Sequence, residues 1–191
     1  MRITPADYLP FARSFEGAIP YLYLDTAGIV TVGIGHALET AGEAAVLPFV
    51  LGAGGARATT AEIEADYAAV KALPKGRVAA FYRPFSRTVL GDDAIADLFT
   101  TDLNDFLAEL GRKVAGFDEL PRGAQLALLD MAYNLGVRGL LEGFPRMMNC
   151  LARHDWSGCA RESRRPQLSA ARNQQVADWL QGAAAKENPN A

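Results

Sequence analysis

The stretch from Phe15 to His36 reads FEGAIPYLYLDTAGIVTVGIGH, and the interpretation of the whole chain depends on it. It contains two carboxylic acids, Glu16 and Asp25, separated by a short apolar segment. Thr31 follows, and a run punctuated by glycines ends at His36. The apolar periodicity changes within the stretch, which predicts the junction of a helix with a β-hairpin.

A helix is predicted before this junction. Pro5 suits the first helical position, and apolar residues recur at helical spacing between Tyr8 and Phe15. Gly17 is expected to end the helix. Glu16 would then lie in the last turn, where the negative end of the helix dipole and apolar neighbours both favour a protonated carboxyl group.

A β-hairpin is predicted after the helix. Residues 21–24 and 29–32 are short runs of β-branched and aromatic residues around the turn residues 25–28, DTAG. Asp25 has two interpretations at this position. An aspartate in a turn commonly bonds its own backbone, and it can also serve as a catalytic carboxylate.

The two acids fit one reaction class. Glycoside hydrolysis commonly uses two carboxyl groups that flank the scissile bond. One is kept protonated as general acid, and the other is ionised and acts on water or on the sugar. A hairpin directly after a helix is one way to hold Glu16 and Asp25 on opposite sides of a bound glycan.

The full pattern is more specific than the two acids. Glutamate, eight residues, aspartate, five residues, threonine and then GIGH resembles the active-site motif of the phage lysozymes and endolysins of glycoside hydrolase family 24. The resemblance implies an α+β, mostly helical fold of two lobes, with a small hairpin lobe and a larger helical lobe. It also implies that Glu16 donates a proton while Asp25 and Thr31 hold the attacking water, without cofactor or metal.

Further positions follow from the same resemblance. His36 would support the fold by pairing with Asp102 of the segment LFTTD, and catalysis by His36 is the weaker alternative. Arg172, in SAARN, would pair with Glu16. The expected substrate-binding residues are Gly35, Ala37, Tyr133 and Met147. Tyr133, in the segment MAYNLG, fits an aromatic that meets the sugar and equally a core aromatic.

The domain organisation follows from the longer helical patterns. A connecting helix is predicted over 92–114 and another from Pro121 to Gly136. Residues 37–90 form an insertion that includes a helix capped by Thr60. Residues 1–182 are expected to form a single lysozyme-like catalytic domain, and residues 183–191 a disordered tail.

Four cations of the insertion cluster in its second half. They are a solvated surface or contacts for the anionic parts of a wall polymer: Lys75, Arg77, Arg83 and Arg87. The whole chain has a net charge of −3 and a sequence pI near 5.4, so no basic field favours nucleic acid. Cys150 and Cys159 lack metal-ligand spacing and are expected to be free, partly buried thiols.

The N-terminal segment lacks the apolar run of a signal peptide, and no uninterrupted apolar run is long enough for a membrane span. We therefore expect synthesis in the cytoplasm, no membrane insertion, and action in the periplasm or cell wall after release through a holin or a secretion system. The expected partners are peptidoglycan glycan strands, and the expected oligomeric state is a monomer.

The resemblance implies an inverting muramidase that acts as an endolysin. It would cleave the β-1,4 bond between N-acetylmuramic acid and N-acetylglucosamine. One alternative is an antibacterial effector of a contractile secretion system, blocked by an immunity protein. A lytic transglycosylase, a non-catalytic wall-binding protein and a scaffold that docks a partner at residues 37–90 are the others.

Overall fold

The computed structural model describes residues 1–52 and 55–187, without the side chains of Arg13, Glu16 and residues 184–187. The fold is α+β and mostly helical, as predicted. The described helices are α1 (Pro5–Glu16), α2 (Ala41–Ala45), α3 (Thr60–Lys71), α4 (Asp92–Lys113), α5 (Arg122–Gly143), α6 (Pro145–Leu151), α7 (Trp156–Glu162) and α8 (Ala170–Glu187). The described strands are β1 (Ile19–Leu24), β2 (Val30–Gly33), β3 (His36–Leu38), β4 (Val50–Leu51) and β5 (Thr88–Val89).

The chain divides into two compact units. One, here called the sheet unit, comprises Phe11–Asp102. The other, here called the helical unit, comprises Met1–Pro10 together with residues from Leu103 onward. Within the described residues, no helix is both long and apolar enough to cross a membrane.

Two antiparallel sheets organise the sheet unit. The first has the order β1–β2–β3, with an irregularity in β1 between Ile19 and Tyr23, and the second pairs β4 with β5. The predicted hairpin corresponds to β1 and β2. One face of the first sheet enters a core that includes Leu22, Leu24, Val30, Val32 and Leu38, all at most 4% exposed.

The insertion is a folded part of the sheet unit. Its helix α3 begins with a capping box in which the Thr59 hydroxyl accepts from the backbone N–H of Glu62, and the Glu62 carboxylate accepts from the Thr59 N–H. The predicted cap at Thr60 was therefore wrong by one residue, because Thr60 already has helical geometry. The Asp66 carboxylate is 2% exposed and accepts from the backbone N–H of Thr88 at 2.8 Å, which holds α3 against β5.

The helical unit buries one side of α5 along nearly its whole first half. The predicted end of this helix at Gly136 is a kink instead, since Gly136 has φ +72° and ψ 154° and the helix resumes after it. Trp156 is buried, as expected of a core residue, and it follows the Asp155 side chain that caps α7.

The C-terminal helix is longer than predicted. Residues 183–187 were assigned to a disordered tail, but α8 continues through them to Glu187. Three consecutive alanines at 183–185 explain the extension, because alanine has the highest helix propensity. The remaining residues of the predicted tail, 188–191, lie outside the described part of the chain.

Candidate active site

The candidate acid lies at the end of α1. This helix ends at Glu16, and Gly17 follows with φ +60°, a left-handed conformation that glycine adopts without strain. The backbone of Glu16 therefore occupies the predicted last turn. Its side chain lies outside the described residues, so the distance between the carboxyl groups of Glu16 and Asp25 stays a prediction.

Asp25 closes the hairpin turn through its backbone and its side chain. The Asp25 N–H donates to the Ile29 carbonyl at 3.0 Å, and Asp25 Oδ1 accepts from the Ile29 N–H at 2.8 Å. The turn interpretation of Asp25 is thus confirmed for one of its carboxylate oxygens. No described protein group donates a hydrogen bond to the other oxygen, Oδ2, so it can accept one from a ligand or a water.

The insertion supports this turn from the outside. Lys71 of α3 donates from Nζ to the Gly28 carbonyl at 3.0 Å. Gly28 has φ +88°, and a Cβ atom there would lie 3.2 Å from the Lys75 side chain. The backbone of the turn that carries Asp25 is therefore held between its own hydrogen bonds and two lysines of the insertion.

Thr31 lies on the same face of the sheet as Asp25. Its Cα partners are Tyr23 on β1 and Ala37 on β3, and Asp25 follows Tyr23 by two residues. Because side chains alternate along a strand, Asp25 and Thr31 are diagonal neighbours on the face that also carries Ala37. Thr31 is 3% exposed, and its hydroxyl donates to the Ile29 carbonyl at 3.1 Å, which leaves oxygen lone pairs to accept a hydrogen bond.

The expected contact between His36 and Asp102 is present. His36 Nδ1 lies 2.9 Å from both carboxylate oxygens of Asp102, and both side chains are largely buried. The contact ties β3 to α4 within the sheet unit, directly after the exposed Gly35, whose φ is +78°. This geometry agrees with a supporting role for His36, which stays a prediction.

A pocket of about 330 Å³ opens in the sheet unit beside the end of α1, and we name it the hairpin pocket. Its lining residues are Gly17, Ala18, Ile34, Asp92, Ile95 and Ala96. Glycine and alanine directly after Glu16 leave room for a ligand beside the candidate acid. The volume is within the range of small-molecule sites.

The other predicted site residues belong to the helical unit. Tyr133 is half-buried, with its ring 6.3 Å from Tyr8 and 5.6 Å from Phe106, so it packs among aromatics whether or not it also meets a sugar. Met147 is fully buried. Contact of either residue with substrate stays a prediction.

A buried cluster of polar side chains in the helical unit escaped the sequence interpretation. Asp130 is fully buried, and its carboxylate accepts from Tyr8 Oη at 2.7 Å, from Arg172 Nε and Nη2 at 3.0 and 2.8 Å, and from Arg165 Nη2. Arg172, the predicted partner of Glu16, is thus bonded to Asp130. Its predicted contact with Glu16 involves a side chain outside the described residues and stays a prediction.

A signal for this cluster was present in the sequence. Asp130 is the one charged residue in the run from Leu126 to Ala132, and every residue of that run is buried. A lone charge inside a buried apolar helix face requires a partner of opposite charge. The partners themselves lie 35 and 42 residues away along the chain, so no local spacing identified them.

The two thiols and the acids give no sign of redox or metal chemistry. Cys150 and Cys159 are free and buried, as expected, and burial raises the pKa of Cys159 to about 12. Among the described residues, no group of three or more histidines, cysteines and acids is placed to hold a metal ion.

Neither the models of known protein families nor the curated proteins give a match to this chain. Every role transferred from the lysozyme family therefore rests on the motif residues. The geometry adds that a partly exposed carboxylate and a hydroxyl share one face of a sheet. Together these groups can orient a water molecule, because each offers an acceptor that no described protein group uses.

Proposed function

We propose that this chain is a muramidase that hydrolyses the β-1,4 bond between N-acetylmuramic acid and N-acetylglucosamine in peptidoglycan. Glu16 protonates the leaving oxygen, and Asp25 with Thr31 positions and activates water on the opposite face of the sugar. The proposal includes a lysozyme-like fold, in which α4 joins a small hairpin lobe to a helical lobe. We propose the endolysin as its biological role.

One observation carries the proposal beyond the sequence motif. Asp25 and Thr31 occupy one face of the hairpin, and each keeps an acceptor that no described protein group occupies. A general base needs a free ionised oxygen within hydrogen-bond reach of the water it activates. Asp25 Oδ2 meets the first condition, and Thr31 supplies a second contact that orients the water.

The mechanism predicts inversion at the anomeric carbon. A water between Asp25 and the sugar requires carboxyl groups about 6.5–9.5 Å apart, whereas a retaining enzyme needs about 5–5.5 Å. Inversion of a β bond releases the α-anomer first, and this is measurable by NMR on a soluble glycan. Initial release of the β-anomer would contradict the assignment of Asp25 as a base.

The direct test is release of soluble fragments from purified peptidoglycan, with the product ends identified by mass spectrometry. We expect reducing muramic acid ends from the wild type and a loss of about 10²–10⁴-fold in Glu16→Gln, the range for removal of a general acid or base. Glu64→Gln is the matched control, since Glu64 is exposed on α3 and makes the same chemical change outside the site.

Asp25→Asn separates the chemistry from the turn. The asparagine keeps an oxygen that accepts from the Ile29 N–H, so the hairpin persists while the base is lost. We expect a folded and inactive protein. Anhydromuramic ends from the wild type would assign a transglycosylase instead, and a folded wild type that releases nothing would reject the enzymatic function.

A further inference from the structure

A second pocket lies next to the hairpin pocket in the sheet unit, and we name it the strand pocket. It measures about 360 Å³ and is lined by Pro20, Val50, Val89, Leu90, Arg83 and Asp92. Asp92 also lines the hairpin pocket, so the two are adjacent. The strand pocket combines residues of the hairpin, of the insertion and of the start of α4.

The wall of the strand pocket is apolar and built on paired backbone. Val50 and Val89 are partners in the β4–β5 ladder, and the Leu90 N–H donates to the Pro20 carbonyl at 2.7 Å. Val89 and Leu90 are at most 7% exposed. These hydrogen bonds hold the wall in place, and its surface suits an aliphatic chain of a ligand.

Arg83 supplies a fixed positive charge. Its Nη1 donates to the Ser86 carbonyl at 2.6 Å, and its guanidinium carbon lies 5.3 Å from the centre of the Tyr21 ring. Within the described chain, Ser86 is the only hydrogen-bond acceptor of this side chain. Arginine has five N–H donors in a planar arrangement that matches a carboxylate, so donors remain for a ligand.

Asp92 supplies a negative charge in the same pocket. It is the exposed first residue of α4, and in the described part of the chain no hydrogen bond or ion pair joins it to Arg83. A pocket with one cation, one anion and an apolar wall is complementary to a zwitterion on a short aliphatic chain. A purely anionic ligand would meet repulsion from Asp92.

We propose that the strand pocket binds the diaminodicarboxylic acid of a peptidoglycan stem peptide. The free carboxylate of its side chain pairs with Arg83, the free ammonium pairs with Asp92, and the methylenes lie on the wall formed by Val89 and Leu90. This inference rests on the proposed muramidase function. A stem of three residues spans about 10 Å when extended, so a stem attached to a sugar in the hairpin pocket reaches the adjacent strand pocket.

Binding is tested without catalysis. Glu16→Gln protein is titrated by calorimetry with a synthetic stem tripeptide that ends in the diaminodicarboxylic acid, and with the same tripeptide ending in lysine. The lysine peptide lacks the side-chain carboxylate, and we expect it to bind at least about tenfold more weakly, since a charge-assisted hydrogen bond is lost. Equal affinity for the two peptides, or no binding of either at millimolar concentration, would overturn the proposal.

Variants on the same background assign the charges. Arg83→Gln and Asp92→Asn are each expected to weaken the diaminodicarboxylic peptide at least about tenfold and to reduce the difference between the peptides. Arg77→Gln, a cation of the same segment outside the strand pocket, is the control and leaves the affinity unchanged. Because Arg83 also packs on Tyr21, Arg83→Lys is included, and thermal unfolding verifies that each variant is folded. Unchanged affinity in folded Arg83→Gln would contradict the assignment.

Hydrolysis of glycan strands stripped of their stems separates this inference from the proposed function. If the wild type cleaves stripped strands and binds neither peptide, the muramidase stands and the strand-pocket proposal fails. If the protein binds the diaminodicarboxylic peptide but cleaves no strand, the muramidase proposal fails and the binding site stands.

Discussion

Replacing Asp130 with asparagine tests whether the helical unit depends on its buried charges. The substitution keeps the shape of the side chain and removes its negative charge. Asp130 and Arg165 are fully buried, and the Arg172 side chain is 6% exposed. Without the carboxylate, two guanidinium groups face each other's charge in a medium of low polarity.

The expected cost follows from the bonds that change. Three guanidinium donors contact Asp130, and a hydrogen bond to a charged group contributes about 1.5–3 kcal/mol. The asparagine oxygen retains part of this, and removal of one partner from a buried pair costs about 3–5 kcal/mol. We expect a loss in this range, which is a large share of the roughly 5–15 kcal/mol that stabilise a domain.

Urea denaturation followed by tryptophan fluorescence measures this loss. Both tryptophans, Trp156 and Trp179, belong to the helical unit, so the signal reports on the unit that contains Asp130. With a slope of about 2 kcal/mol/M, the midpoint should fall by roughly 1.5–2.5 M urea.

Glu142→Gln provides the matched control for the same chemical change. Glu142 pairs with Arg138 on the exposed surface of α5, and such a pair contributes at most about 0.5 kcal/mol. A loss below about 1 kcal/mol in Asp130→Asn, with an unchanged slope, would refute the reasoning that the buried charges depend on each other.

Three further predictions concern stability and reactivity. Thr59→Ala should cost about 1 kcal/mol in urea denaturation and Thr60→Ala less than about 0.5, because only Thr59 caps α3. A hydrogen bond from Arg122 lowers the pKa of Asp7 to about 2, so the ionised carboxylate stabilises the fold above its unfolded pKa near 4 and that contribution is lost as the pH falls towards 2. Asp7→Asn should therefore be less stable than wild type at pH 7 and equal to it near pH 2 in thermal unfolding. Both cysteines are buried, so a thiol reagent at pH 8 should label neither in the native protein and both in guanidinium chloride; rapid native labelling would contradict their burial.

The long elements were predictable because their signals are local and repeated. Helix α4 carries apolar residues at helical spacing over six turns, and the prediction for 92–114 differs from the observed end at Lys113 by one residue. The hairpin was identified because two β-branched runs surround a turn that ends in Gly28. In both cases several neighbouring residues favour the same local structure.

The missed elements depend on contacts distant in sequence. Strand β3 has three residues and β4 and β5 have two each, which is too short for periodicity to be visible. Gly136 was taken as a helix end because glycine commonly ends helices, whereas packing on both sides of it restarts the helix after a kink. The positions of Asp25 and Thr31 on one face follow from the strand register.

The helical unit joins the first ten residues of the chain to its last third, and this has a consequence for synthesis on the ribosome. Tyr8 and the backbone N–H of Ile3 bond to Asp130 and Gln125 of α5, and the cluster at Asp130 needs Arg172 of α8. The emerging N-terminus must therefore wait while the whole sheet unit is translated and leaves the exit tunnel. The sheet unit can fold first, and the helical unit is completed only when the last helix is released.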